Sequence, residues 1–217
     1  MRELEDAYPQ LKSYGFSPRH LALFNEHELA SLLGINEGEA ALILGKLRAL
    51  LREAREIAGR KIVDAYQIAE EVIIPWGIPL PRGLYRVVGD GARLFLAGAI
   101  AAFLKAYDKK DVMYIDCGSR FNLGEFGLVG LSVGEAKYRV KVASPTNYAD
   151  LEDLLVFEVP KHLEKGNYGL LAVEGLDSIL VGIPEERARA KFAEHLVDWV
   201  RRLSVTYDVW AFVTLSL

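Results

Sequence analysis

Residues Val87–Ala97 read VVGDGARLFLA. Gly89 and Gly91 separate an apolar β-branched run from an apolar helical one, with Asp90 between them and Arg93 just beyond. A strand, a tight glycine turn and a helix start mark the place where a phosphate-binding loop sits. In a working loop, glycines let backbone N–H groups cradle the phosphates. A lysine reaches the β- and γ-phosphates, and a Ser or Thr holds Mg²⁺. This stretch has the glycines but no Gly-Lys-Ser/Thr. Its arginine can still pair with phosphate oxygens. The alternative reading is a plain strand-to-helix turn whose glycines meet unusual dihedral angles.

Other reactive residues are scattered. His20, His27, His162 and His195 lie far apart, and with the single Cys117 they form no metal-ligand spacing, so no metal is expected. His195 beside Glu194 reads as structural or solvated. Cys117 follows an apolar run and reads as an inert core thiol. Ser119 has no recognisable histidine partner and reads as a turn residue. Trp199 and Trp210 fall on periodic apolar faces, while Trp76 precedes a turn where base stacking is conceivable. One cysteine excludes an intrachain disulfide framework and suits a reducing compartment. The net charge of -4 and pI of about 5.7 give no global pull toward nucleic acid, so DNA contact needs local patches. No N-terminal apolar region or long uncharged apolar span occurs, so the expected location is cytoplasmic, with no membrane partner.

These residues must be positioned by two kinds of element. Residues 1–58 read as a helical domain. Ser17 and Pro18 open one helix, Asn25 and Glu28 cap the next, and Gly34 stops it. The unit LLGINEGEAALILGKLR is a helix, a tight glycine-bounded turn and a helix, the shape of a helix-hairpin-helix. In that motif, backbone N–H groups at the hairpin hold a DNA phosphate. Gly34, Gly38, Lys46 and Arg48 are the candidates for this role, although Glu37 and Glu39 would repel phosphate. A small helical packing module is the competing reading.

Residues 59–78 read as a linker. From residue 79 to 217, short β-branched runs alternate with helical stretches: GLYRVVG, DVMYIDCG, KYRVKVAS, YGLLAVEG and DVWAFVTLSL as strands. The helices between them are ARLFLAGAIAAFLKAY, a largely helical YADLEDLLVFEVPKHLEKG, and the amphipathic PEERARAKFAEHLVDWVRRLSVTY. The alternation predicts an α/β fold with a mostly parallel sheet, whose ligands bind at the carboxyl ends of the strands.

In order and spacing, these segments resemble the archaeal RadA recombinases within the RecA-like ATPases. LLGINEGEAALILGKLR is similar to the RadA N-terminal domain. IPLPRGLYRVVGD is similar to the strand feeding the phosphate loop, and DVMYIDCGSRF to the strand that reads YIDTEGTF in active members. YGLLAVEGLDSIL is similar to the Walker B strand, and AEHLVDWVRRLSVTYDVWAFVTLSL to the helix and strand ending in TNQ. The resemblance covers most of the chain. It implies a RecA-like three-layer α/β/α core, C-terminally truncated and preceded by a helix-hairpin-helix-like domain.

The departures fall on the chemistry. Aligning LFLAGAIAAF with the helix after the family's loop puts Arg93 at the lysine and Leu94 at the Ser/Thr, with a loop about two residues short. Leucine cannot ligate magnesium. Gly118 stands at the catalytic glutamate, Glu174 at the Walker B aspartate, and Ser216 near the sensor glutamine. Joint loss at these positions implies a degenerate P-loop, no ATP hydrolysis and no required ATP or Mg cofactor. The resemblance also implies polymerisation through a Phe-x-x-Ala motif, for which Ile62 and Ala65 are the partner-docking candidates. Arg187, Arg189 and Lys191 replace the first DNA-binding loop; alternate residues on a helix do not share a face. The expectation is a non-catalytic RadA paralogue serving homologous recombination and DNA repair. Its partners would be a RadA-type recombinase or another RecA-like chain, single-stranded or duplex DNA, or both. The alternatives are an atypical ATPase using Arg93 and Glu174, and a structural subunit of a heteromer.

Overall fold

A computed structural model describes residues 18–59, 72–73 and 80–215. They fall into two compact units, the first holding residues 18–59 and the second the rest. Ile62, Ala65, Trp76 and Ser216 lie outside the described residues.

The first unit contains α1 (Pro18–Leu21), α2 (Glu26–Leu33) and α3 (Glu37–Gly59). Asn25 and Glu28 cap α2 reciprocally: Asn25 Oδ1 accepts from Glu28 N at 2.8 Å, and Glu28 Oε2 accepts from Asn25 N at 2.7 Å. Gly34 ends α2 with φ 67°, a left-handed conformation that glycine adopts without steric cost. Leu21, Leu23, Leu29, Leu44 and Leu47 close the small core between the helices.

The second unit begins with β1 (Val72–Ile73), which pairs antiparallel with β2 (Leu80–Pro81). The main sheet and one of its covering layers come from β3 (Leu84–Val88), α4 (Ala92–Ala106), β4 (Asp111–Asp116), α5 (Gly124–Leu128), α6 (Val133–Arg139) and β5 (Val140–Ala143). There follow α7 (Tyr148–Asp153), a π-helical turn (Leu154–Glu158), α8 (Val159–Glu164), β6 (Tyr168–Glu174), α9 (Leu176–Leu180), α10 (Glu186–Tyr207) and β7 (Trp210–Leu215). The five strands β3 to β7 lie in the order β3-β7-β6-β4-β5, and every pair is parallel. A five-stranded parallel sheet flanked by helices is compatible with a Rossmann- or RecA-like core.

The predicted strand KYRVKVAS begins later than its β-branched pattern suggested. Ser132 Oγ accepts from Glu135 N at 3.1 Å and caps α6, whose helical turns run through Arg139 and bury Ala136. Only Val140–Ala143 remain extended. Neither α5 nor α6 is among the helices that the residue pattern predicts.

Burial on both faces explains the unbroken apolar runs of β4, β6 and β7. Side chains alternate along a strand. Val112 and Tyr114, Leu170 and Ala172, and Trp210 and Phe212 share one cluster with Leu96, Ile100 and Phe103 of α4. The alternate residues Ile115, Leu171, Val173, Ala211 and Val213 are equally buried and face the other layer, where α10 packs against β7. Gly169 sits where α4 comes closest: a β-carbon there would stand 2.7 Å from Phe103 Cζ. Among the described residues no helix is long and apolar enough to cross a membrane.

The last carbonyls of α4 have no partner within their own helix. Arg139, 16% exposed, supplies one. Its guanidinium donates to the carbonyl oxygens of Leu104 at 2.9 Å, of Lys110 at 2.5 Å and of Tyr107, and pairs with Glu135 at 3.1 Å. Replacing Arg139 with Ala removes these donations, leaving Tyr107 O only the Lys110 N–H at 3.2 Å, and is expected to lower stability by about 2–3 kcal/mol in urea unfolding. A change within about 0.5 kcal/mol would place the role of this residue elsewhere.

Candidate functional site

Parallel strands bring their carboxyl ends to one edge of the sheet, and three polar side chains meet there. Asp116 ends β4 and Glu174 ends β6, and they are direct register partners. By alternation both lie on the α4 face, in step with Tyr114 and Ala172. Thr214 of β7 shares that face, in step with Phe212. All three are buried, Asp116 at 3% and Glu174 at 2% exposure.

Each has a different role. Asp116 organises the loop after β4: Oδ1 accepts from the backbone N–H of Gly118 at 3.2 Å and of Arg120 at 3.0 Å, and Oδ2 from Phe121 at 2.8 Å. These bonds hold Ser119 at φ 53°, a left-handed conformation uncommon for a residue with a side chain. Thr214 Oγ1 accepts from Gly175 N at 2.9 Å and fixes the turn after β6. Glu174 points toward α4, where Arg93 meets it.

Arg93 is the centre of the site. The turn before it is short: Gly89 has φ 102°, Ala92 N bonds back to Gly89 O at 3.0 Å, and α4 starts at Ala92 with no side-chain cap. Arg93 leaves this first turn and crosses the strand ends. Its Nη2 donates to Glu125 Oε1 at 2.6 Å and to the backbone carbonyl of Arg120, and its Nε stands 3.8 Å from Glu174 Oε1. One side chain thereby ties α4, α5, the loop after β4 and the end of β6. Glu125 reaches it because Phe126, 3% exposed, seats α5 in the core cluster.

Two neighbouring acids in a buried site cannot both be ionised cheaply. With both ionised, Glu174 Oε2 has no hydrogen-bond partner. Burial first, then the Asp116 carboxylate accepting a hydrogen bond from the neutral form, push the Glu174 carboxyl up to about 7, against the opposing pull of Arg93. Burial and the nearby Glu174 and Asp116 also push the Tyr114 hydroxyl upward, and burial followed by Asp116 does the same to the Cys117 thiol. Cys117 is a buried free thiol held away from the nucleophilic thiolate, as its position after an apolar strand suggested.

The loop candidates divide. Arg93 and Glu174 come together, and Gly118 lies beside them. The Arg120 stem covers Gly118, its Cδ and Nε within 3.3 Å of where a β-carbon would stand. Asp90 and Leu94 are exposed, and Gly91 begins α4 as its cap. Glu125, Asp116 and Arg120 were not foreseen; the glycine spacing of FNLGEFGLVG was the one sign of a structured loop there.

Of the hairpin candidates, Arg48 is engaged with its own unit while Gly34, Gly38 and Lys46 are exposed. Asn36 Oδ1 accepts from Glu39 N at 2.9 Å, and Glu39 Oε2 accepts from Asn36 N at 3.1 Å, so the protein's own carboxylate sits at the α3 N-terminus. Gly38 is exposed in the first turn of α3, where a β-carbon would approach Asn36 Oδ1 at 3.2 Å. Arg48 Nη2 donates to Phe24 O at 2.8 Å and Ala22 O at 3.3 Å. Lys46 is exposed. Arg187, Arg189 and Lys191 all lie within the regular α10, so Arg187 and Lys191 share a face and Arg189 does not. Among the described residues no group of three or more His, Cys, Asp or Glu side chains is placed to hold a metal ion. No family model matches the chain, and no curated protein matches it.

The raised Glu174 carboxyl sets a pH dependence. The folded state keeps a proton that the unfolded chain releases near 4.5, so this contribution is fully present below about 4.5 and is lost as pH rises through about 7. Wild type should lose up to about 3 kcal/mol across that window, and E174Q should be flatter. Urea unfolding of both proteins at stepped pH checks this; parallel curves would mean that Glu174 does not carry the proton.

Proposed function

We propose that this chain is a non-catalytic RadA/RecA-like paralogue that acts as an accessory in homologous recombination and DNA repair. It works by binding DNA, a RadA-type recombinase or another RecA-like chain, or both DNA and protein, without hydrolysing ATP. The observation that carries the reading is the closure of Arg93. The only cation in the loop that could meet a phosphate is already paired with Glu125 and faces Glu174. No carboxylate stands at Gly118 to position a water, and Leu94 offers no oxygen to a metal. The strand order supports a RecA-like core, with the last strand lying between the loop-bearing β3 and the Glu174-bearing β6.

The alternative of an atypical ATPase needs Arg93 to leave Glu125 for a nucleotide, which the 2.6 Å pairing opposes. Between the two partner classes, protein is favoured over DNA. The hairpin N-terminus carries its own carboxylate, Arg48 is committed to backbone carbonyls, and the α10 cations do not form one stripe.

Two measurements test this. Phosphate release with ATP and Mg²⁺ should stay at the buffer rate; hydrolysis that vanishes in R93A or E174A would falsify the reading. Light scattering of the chain mixed with a RadA-type recombinase should give a species heavier than either alone. Independent elution of the two would remove the RadA-type recombinase as its partner.

A further inference from the structure

Helix α5 is a short element with a narrow hold on the molecule. It spans five residues, Gly124–Leu128, and its first N–H donates to Asn122 Oδ1 at 2.8 Å. Gly124 and Gly127 lie within it, and Gly130 follows it. Phe126 anchors it in the core, while Leu128 at its end is 77% exposed. Its one polar tether at the sheet edge is Glu125, whose Oε1 lies 2.6 Å from Arg93 Nη2. Arg93 and Glu125 are each about a third exposed, so solvent and its ions reach the pair.

We infer that Glu125 is an internal counter-anion that closes the Arg93 site against phosphate-bearing anions, an autoinhibitory contact built into α5. The inference rests on the reading above, in which the site is shut in the protein as it stands. An arginine fork donates to carboxylate and phosphate oxygens in the same geometry, so the two compete for one guanidinium. The position favours an anion twice over: the guanidinium projects from the first turn of a fifteen-residue helix, whose N-terminal end is electropositive. A tethered carboxylate wins that competition because its effective concentration exceeds that of a free ion. Neutralising Glu125 while keeping its shape should hand the guanidinium to a soluble oxyanion.

The test titrates pyrophosphate into wild type, E125Q, E125D and the double variant E125Q/R93Q at low salt. Binding is followed by calorimetry and by phosphorus NMR line width, and folding by circular dichroism. E125Q should bind pyrophosphate at least about tenfold more tightly than wild type, and adding R93Q should remove the gain. E125D, which keeps the charge but withdraws it by one methylene, should fall between them. If E125Q does not fold, E125D decides. Equal affinity of wild type and the folded Glu125 variant, or a gain that survives R93Q, would overturn the plug. Hydrolysis by wild type would instead defeat the proposed function and leave the Glu125 comparison to be judged separately.

Discussion

Two carboxyl groups end neighbouring parallel strands with almost no access to water, and the carboxyl edge of the sheet is arranged around that problem. Like charges side by side in a poorly solvated place repel, and each seeks a donor. Asp116 finds three in the backbone of the loop that follows it. Glu174 finds a guanidinium at 3.8 Å and, in its neutral form, its neighbour. The loop after β4 and the start of α4 gather around these two groups, and α5 reaches them through Arg93.

The strand ends are accurate because the sheet behind them has no freedom. Side chains fill both faces, so neither β4 nor β6 can slide or twist without opening voids against α4 or α10. Arg139 fixes the far end of α4 against β4 in the same way that Arg93 fixes the near end. One helix is therefore pinned by an arginine of its own at one end and by an arginine of a later element at the other. In a phosphate-loop protein a bound nucleotide ties together the strand ends. Here a side chain does so.

Much of this is legible in the amino-acid order, for local reasons. Asn25, Glu28 and Gly34 announce the ends of α2 because caps are made by residues three or four positions apart. The strands stand out because doubly buried β-branched runs have few other uses. Arg93 and Glu174 could be paired only by superposing the chain on a family pattern, since eighty residues separate them. Glu125 escaped even that, because α5 is five residues long and its one buried side chain shows no period. The late start of β5 has the opposite cause. Tyr138 and Arg139 have strand-like neighbours, but the Ser132 cap carries the helix through them. The π-helical turn at Leu154–Glu158 leaves no trace in composition at all.

The contact between Gly169 and Phe103 reaches beyond this one chain. A methyl group at 169 would intrude on the ring, and a smaller residue at 103 would leave a hole beneath Trp210, whose ring meets Phe103 edge-on. Neither position is free to drift alone. Among relatives with this sheet and helix, the two sites should change as a pair, a bulkier residue in β6 accompanying a smaller one in α4. Such covariation would mark descent with this packing intact, even where every residue of the charged edge has been replaced.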